Sequence, residues 1–112
     1  MQTFNLKTLA ENEEKGEYVL GLKDLQTHAV YMIYGVLEAE EKDRKLHPGK
    51  GHEEILCIIK GQVELSSQNK TLTISEGEAI HLKEDDTYYI ENKSDKTSHY
   101  ILAGGHNIED HR

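Results

Sequence analysis

Two histidines, His47 and His52, and two adjacent carboxylates, Glu53 and Glu54, fall within the segment HPGKGHEEILCIIKG that runs from His47 to Gly61. Imidazole and carboxylate are the ligands of Fe(II), Mn(II), Ni(II) and Zn(II), and two histidines with one carboxylate on one side of an ion leave positions open for substrate. Pro48, Gly49 and Gly51 would let the loop fold back and bring His47 and His52 to Glu54. The other reading of the same residues is two exposed loop histidines and a solvated carboxylate pair.

Four further histidines and one tyrosine carry chemistry. His81 alternates with Ile80 and Leu82, so it faces outward if they face the core. Tyr88 shares the parity of Ile90 and brings a phenol inside; its ordinary pKa near 10 makes it a poor metal ligand at neutral pH. It either lines a pocket and hydrogen-bonds a ligand or packs with its hydroxyl satisfied. His99 stands beside Tyr100 in the last strand with undecided parity, and with Tyr88 it is the second candidate for a ligand pocket. His106 and His111 lie in the polar stretch GGHNIEDHR, solvated or folded over an open end. Cys57, the single cysteine, excludes an intrachain disulfide framework, and among apolar neighbours it reads as a buried, inert thiol. No GxGxxG, Walker loop, zinc-finger spacing or serine elbow is present.

These groups must be positioned by strands. Ala29–Leu37 (AVYMIYGVL) is β-branched and aromatic and predicts a long strand; Tyr18–Leu20 predicts a short one, followed by a polar turn over Gly21–Asp24. Residues 3–15 fit either a short helix or an irregular arm. EAEEKDRK, residues 38–45, reads as a solvated turn between strands, with helix as the alternative. Beyond Gly61 short strands recur at intervals of roughly 8–10 residues, separated by SSQNK, SEGE, KEDD and NKSDK, with period-two alternation. That alternation assigns Val63, Leu65, Leu72, Ile74, Ile80, Leu82, Tyr88 and Ile90 to the inward face. The fold class is all-β, an antiparallel sandwich or barrel.

The chain of 112 residues has the size of one domain. Its formal net charge of −8 repels phosphate backbones, which argues against nucleic acid and anionic membrane as partners. The longest apolar run is too short to span a bilayer, and the N-terminus lacks a basic start and apolar core of a secretory signal, so a cytoplasmic location is expected.

In order and spacing the chain resembles a small single-domain cupin, a jelly-roll β-barrel. The family's first motif ends in glutamate, six residues and glycine, which Glu54 and Gly61 match; its second runs from Gly77 to Asn92 in this chain, with fifteen residues between the two motifs. The resemblance covers about residues 29–103, leaving an N-terminal arm, 1–20, and a polar tail, 104–112. It implies a metal site at Glu54, rebuilt with His47 and His52, because the family's pair of histidines one residue apart is absent. In the second motif the proline, glycine and ligand-histidine positions are Lys83, Asp85 and Tyr88. The resemblance further implies a small-molecule ligand and a homodimer joined through sheet edges or an exchanged arm. Three functions stand open: an enzyme using a divalent transition metal, a metal-free small-molecule binder, and a structural or regulatory barrel. The fold alone selects none of them.

Overall fold

The structure is a computed structural model that describes residues 1–106, so His111 lies outside the described residues. In chain order the elements are α1 (Leu6–Glu11), β1 (Glu17–Leu20), α2 (Leu22–Leu25), β2 (Val30–Leu37), β3 (Arg44–Leu46), β4 (His52–Lys60), β5 (Gln62–Ser66), β6 (Thr71–Ser75), β7 (Ala79–Leu82), β8 (Tyr88–Glu91) and β9 (Ser98–His106). All strand pairs are antiparallel. They build a five-stranded sheet in the order β1-β2-β9-β4-β7 and a four-stranded sheet in the order β3-β8-β5-β6. Among the described residues no strand pair joins the two, so the architecture is a jelly-roll sandwich rather than a closed barrel. No helix among them is long and apolar enough to cross a membrane.

The inner faces meet where alternation puts them. Leu37, Leu56, Ile58, Leu82, Tyr100 and Leu102 of the larger sheet pack on Leu46, Val63, Leu65, Ile74 and Ile90 of the smaller one. Each fully buried aliphatic side chain contributes about 1.5–3 kcal/mol. Leu72 departs from the expected inward set: it lies opposite Leu65 but on the edge strand β6, where no facing strand covers it, and it is 49% exposed.

The arm contains a helix, α1, capped by the Asn5 side chain on Thr8 N–H. Ala10 and Leu6 of α1 press onto Tyr34, Val36, Tyr18 and Ile101 on the outer face of the large sheet. The segment read as a polar turn after β1 is instead one helical turn, α2. Gln26 closes it in a left-handed conformation, and Tyr18 Oη donates to Asp24 at 2.8 Å, fastening it to β1. Local turn residues and a single helical turn are indistinguishable in so short a span.

Two of the motif residues fixed by spacing, Gly61 and Asn92, have structural roles. Gly61 has φ +85°, and a Cβ there would stand 2.4 Å from Ser98 Oγ. Asn92 is fully buried; its Nδ2 donates toward the carbonyls of Leu37, Glu38 and Lys96, and its Oδ1 accepts from Ser94 N and Oγ. One side chain thereby satisfies the backbone of two connections that have no ladder of their own.

Candidate functional site

Three residues form one row across the large sheet. Tyr31 on β2 is the register partner of Gly104 on β9, and Gly104 is the partner of Glu54 on β4. Because Gly104 has no side chain, the Tyr31 ring lies over it; a Cβ there would meet the ring at 2.2 Å. The phenol thus reaches the far strand and donates to Glu54 Oε2 at 2.5 Å. Burial, and then the hydrogen bond and charge of Glu54, push the Tyr31 hydroxyl pKa well above its ordinary value, so it stays protonated and keeps donating. Glu54 is 6% exposed.

A second row uses the same device at the other end. Glu17, Gly35 and Tyr100 are register partners on β1, β2 and β9. The Tyr100 ring covers Gly35, whose absent Cβ would sit 2.0 Å from it, and its hydroxyl donates to Glu17 Oε2 at 2.5 Å. Arg44 closes this end by donating to Tyr100 Oη, Glu41 and the carbonyls of Lys15, Gly16 and Val36. That end is a lock in which both terminal nitrogens of the guanidinium are engaged. The Tyr31 end has a spare group.

The spare group is His52, the first residue of β4. Its ring stands edge-on to Tyr31 with centroids 5.6 Å apart, and its Nδ1 is buried without any hydrogen-bond partner. An unpaired buried polar atom costs about 1–3 kcal/mol. His106, the register partner of His52, lies 4.9 Å away ring to ring, and His106 Nε2 is 3.0 Å from His28 Nδ1. Three imidazoles, a phenol and a carboxylate therefore gather at one open end, running from exposed His28 inward to buried Glu54.

The residues singled out from the sequence are dispersed. His52 and Glu54 share the inward side of β4. His47 is elsewhere engaged: its Nδ1 is 2.7 Å from Asp86 O and 3.2 Å from Thr87 Oγ1. Gly49 and Gly51 do turn the loop at positive φ, but Gly51 N–H donates to Glu84. Among the described residues no three His, Cys, Asp or Glu side chains gather so as to hold a metal ion. The trio of His47, His52 and Glu54 thus does not fit a metal, and Tyr31 occupies a carboxylate oxygen of Glu54. Tyr88 is half-buried opposite Leu46 and packs beside the core. His99 is on the outer face beneath α1, 4% exposed, with Nδ1 2.8 Å from Tyr34 Oη, so it shares no pocket with Tyr88. His81 is exposed and pairs with Glu53 at 2.7 Å, as its parity implies. Cys57 is half-buried on the outer side, opposite Ala79.

His28 joins the site without having been singled out, and so does Tyr31, which the sequence reads as core or flank of the long strand, with a pocket role as the lesser alternative. Tyr31 carried a signal, its alternation with inward Ile33. What identifies its role is a glycine one strand away, which only the pairing reveals.

No protein-family model matches the sequence, and no curated protein matches it. The fold does have solved counterparts. A cupin 2 conserved barrel domain protein from Salinispora arenicola superposes with TM-score 0.74 at 14% identity over 94% of this chain and 88% of that one. The cupin domain of Cnp3 from Schizosaccharomyces pombe gives 0.64 at 12% identity over 73% of this chain, which spans 56% of that one. A sugar phosphate isomerase of the cupin superfamily from Silicibacter pomeroyi gives 0.63 at 17% identity over 81% of this chain, which spans 60% of that one. The chain has the cupin fold, in the form of a small all-β jelly roll. One counterpart is a sugar phosphate isomerase and the other two are named for their fold alone, so the fold leaves the activity to be argued from the site.

Proposed function

We propose that the protein is a binding module that takes a small hydroxylated organic molecule at the open end marked by Tyr31, His52, Glu54 and His106, without a metal. The single observation that carries this reading is the buried, unpartnered Nδ1 of His52 beside a hydrogen-bonded Tyr31–Glu54 pair. In this structure His52 Nδ1 is sealed from solvent, so a ligand meets it only when the ring turns toward the cavity lined by Tyr31, Glu54 and His106; a hydroxyl, which both donates and accepts, would then satisfy it in either tautomer. Binding would then recover the cost of the orphaned nitrogen. The test is a titration of purified, metal-stripped protein with a panel of sugars and polyols, followed by calorimetry and by the His52 ring resonances in NMR. Saturable binding that is lost in His52→Ala and insensitive to chelator supports the reading. Binding that needs added Fe(II), Mn(II), Ni(II) or Zn(II) overturns it.

A second reading concerns assembly, and the outer face of the large sheet favours it. Leu20, Met32, Ala103 and Ile55 are register partners across four adjacent strands and lie on the outward side. They line a groove of about 860 Å³ with Val30, and Val30 and Ile55 are 57% and 52% exposed. An apolar row of that kind is complementary to itself under a two-fold axis, which buries it while leaving the charged edges of both copies in water. A homodimer through this face would run as a dimer by light scattering and become monomeric in Ile55→Glu.

A further inference from the structure

Four strands end the two sheets, and three of them are protected. β1 opens with Glu17 and runs directly into α2, β3 is Arg44-Lys45-Leu46, and β7 carries His81 in its pair with Glu53. Charges and covering segments of this kind keep sheet edges from pairing with other chains. The fourth edge, β6, reads TLTIS, with no charge, proline or bulge, and Thr71, Leu72 and Thr73 are all exposed. We propose that β6 is a self-association edge: two copies of this chain pair their β6 strands antiparallel about Leu72, joining two four-stranded sheets into one of eight.

The backbone sets the register. Ser67 N–H donates to Lys70 O at 2.9 Å and closes the β5–β6 hairpin. Bonded and non-bonded pairs alternate along an antiparallel ladder, so Leu65–Leu72 and Val63–Ile74 are the bonded pairs. Thr71 and Thr73, opposite Ser66 and Glu64, therefore turn N–H and C=O away from β5. Ser75 continues that series, and its N–H goes to Glu78 Oε1 at 2.8 Å rather than to β5. Among the described residues no strand pairs with this side of β6. A two-fold axis at Leu72 sets Thr71 of one copy against Thr73 of the second copy, and the reverse, so that all four free groups of each strand end are exchanged in four N–H···O=C bonds.

Side chains fit the same axis. Leu72, 49% exposed, meets Leu72 of the second copy in a non-bonded pair, where Cα atoms approach to about 4.5 Å. Lys70 falls opposite Ile74 of the second copy and diagonal to its Glu76, within reach of a long side chain. Lys70 is in no ion pair among the described residues, and Glu76 uses only Oε1, on Gly61 N–H. Two Lys70–Glu76 contacts thus flank one leucine pair, an arrangement complementary to itself. The patch is small, so the dimer is weak and forms as concentration rises.

Ile55→Glu is placed in every sample, which removes the outer-face contact of the large sheet and leaves β6 alone. Sedimentation equilibrium of this chain should show a monomer–dimer equilibrium, and hydrogen exchange at Thr71 and Thr73 N–H should slow as concentration rises. Thr73→Pro removes one intermolecular bond on each side of the axis while sparing every bond to β5, and should weaken the dimer by at least about tenfold. A covalent readout is independent of that variant. With Cys57→Ser, Leu72→Cys should form a disulfide-linked dimer on mild oxidation, whereas Thr71→Cys, set two residues out of register with its own copy, should not. A chain still monomeric at about 1 mM, a dimer indifferent to Thr73→Pro, or cross-linking as ready at residue 71 as at residue 72 would each overturn the proposal.

Discussion

Tyr31 and Glu54 stand two strands apart in the large sheet and share a hydrogen bond of 2.5 Å, because the residue between them is Gly104. The bond satisfies a buried carboxylate that would otherwise be paired with nothing on its sheet. It also fixes the ring against which His52 rests.

Gly104→Ala should therefore disturb more than one residue. The added methyl would overlap the Tyr31 ring, at 2.2 Å from its nearest atom, and force the phenol off Glu54. We expect a loss of about 1–3 kcal/mol in urea unfolding, together with loss of ligand binding. Tyr31→Phe, which keeps the ring and removes the donor, should cost about 1–3 kcal/mol as well.

Asn92→Ala should be among the most damaging single changes. It leaves the Leu37, Glu38 and Lys96 carbonyls without their shared donor inside the fold. A loss of about 3 kcal/mol is expected, since several buried acceptors are stranded at once. A denaturant midpoint unchanged from wild type would contradict the role given to this residue.

Stability should fall on the acid side through His99. Its folded pKa is depressed by burial, then by Lys60 and Lys7, so the neutral ring's contribution is complete above the unfolded pKa near 6.5 and is lost as pH falls through the folded value. Urea midpoints measured from pH 8 down to pH 5 should decline below pH 6.5. His99→Gln should flatten that decline at the price of a lower midpoint at pH 8.

The alkaline side reports the two tyrosines. Tyr31 and Tyr100 have raised folded pKa values, first from burial and then from the carboxylates they touch. Their contribution is complete below the unfolded value near 10 and is lost as pH rises above it. Absorbance at the phenolate band should rise abruptly with unfolding rather than gradually, and Tyr100→Phe should reduce the pH dependence above 10.

Much of the fold was legible because alternation in β5, β7 and β8 needs only a period of two and turn residues between. Glu54, Gly61 and Asn92 were legible by spacing, yet Gly61 and Asn92 serve the backbone, through Ser98 and through three carbonyls, in ways spacing does not disclose. His81 was placed outward by parity, which holds. His47 and His52 were joined because Pro48, Gly49 and Gly51 would let the loop fold back; the turn instead delivers His47 to Asp86 and starts a strand at His52. The cluster of His28, His52 and His106 is assembled from three distant parts of the chain by the β2–β9–β4 register, and Leu72 is exposed because β6 is an edge. Pairing partners and edges are tertiary facts, absent from local pattern.

The two tyrosine–glycine–glutamate rows also constrain the routes by which this sequence can change. Any side chain at Gly35 or Gly104 is blocked while Tyr100 or Tyr31 lies over it, and a smaller residue at either tyrosine first strands a carboxylate. Each row is thus a ratchet in sequence space: no single substitution leads out of it without passing through a less stable intermediate. Libraries meant to give this open end a new specificity should vary Tyr31, Glu54 and Gly104 together, because one-at-a-time scanning would score all three as immutable.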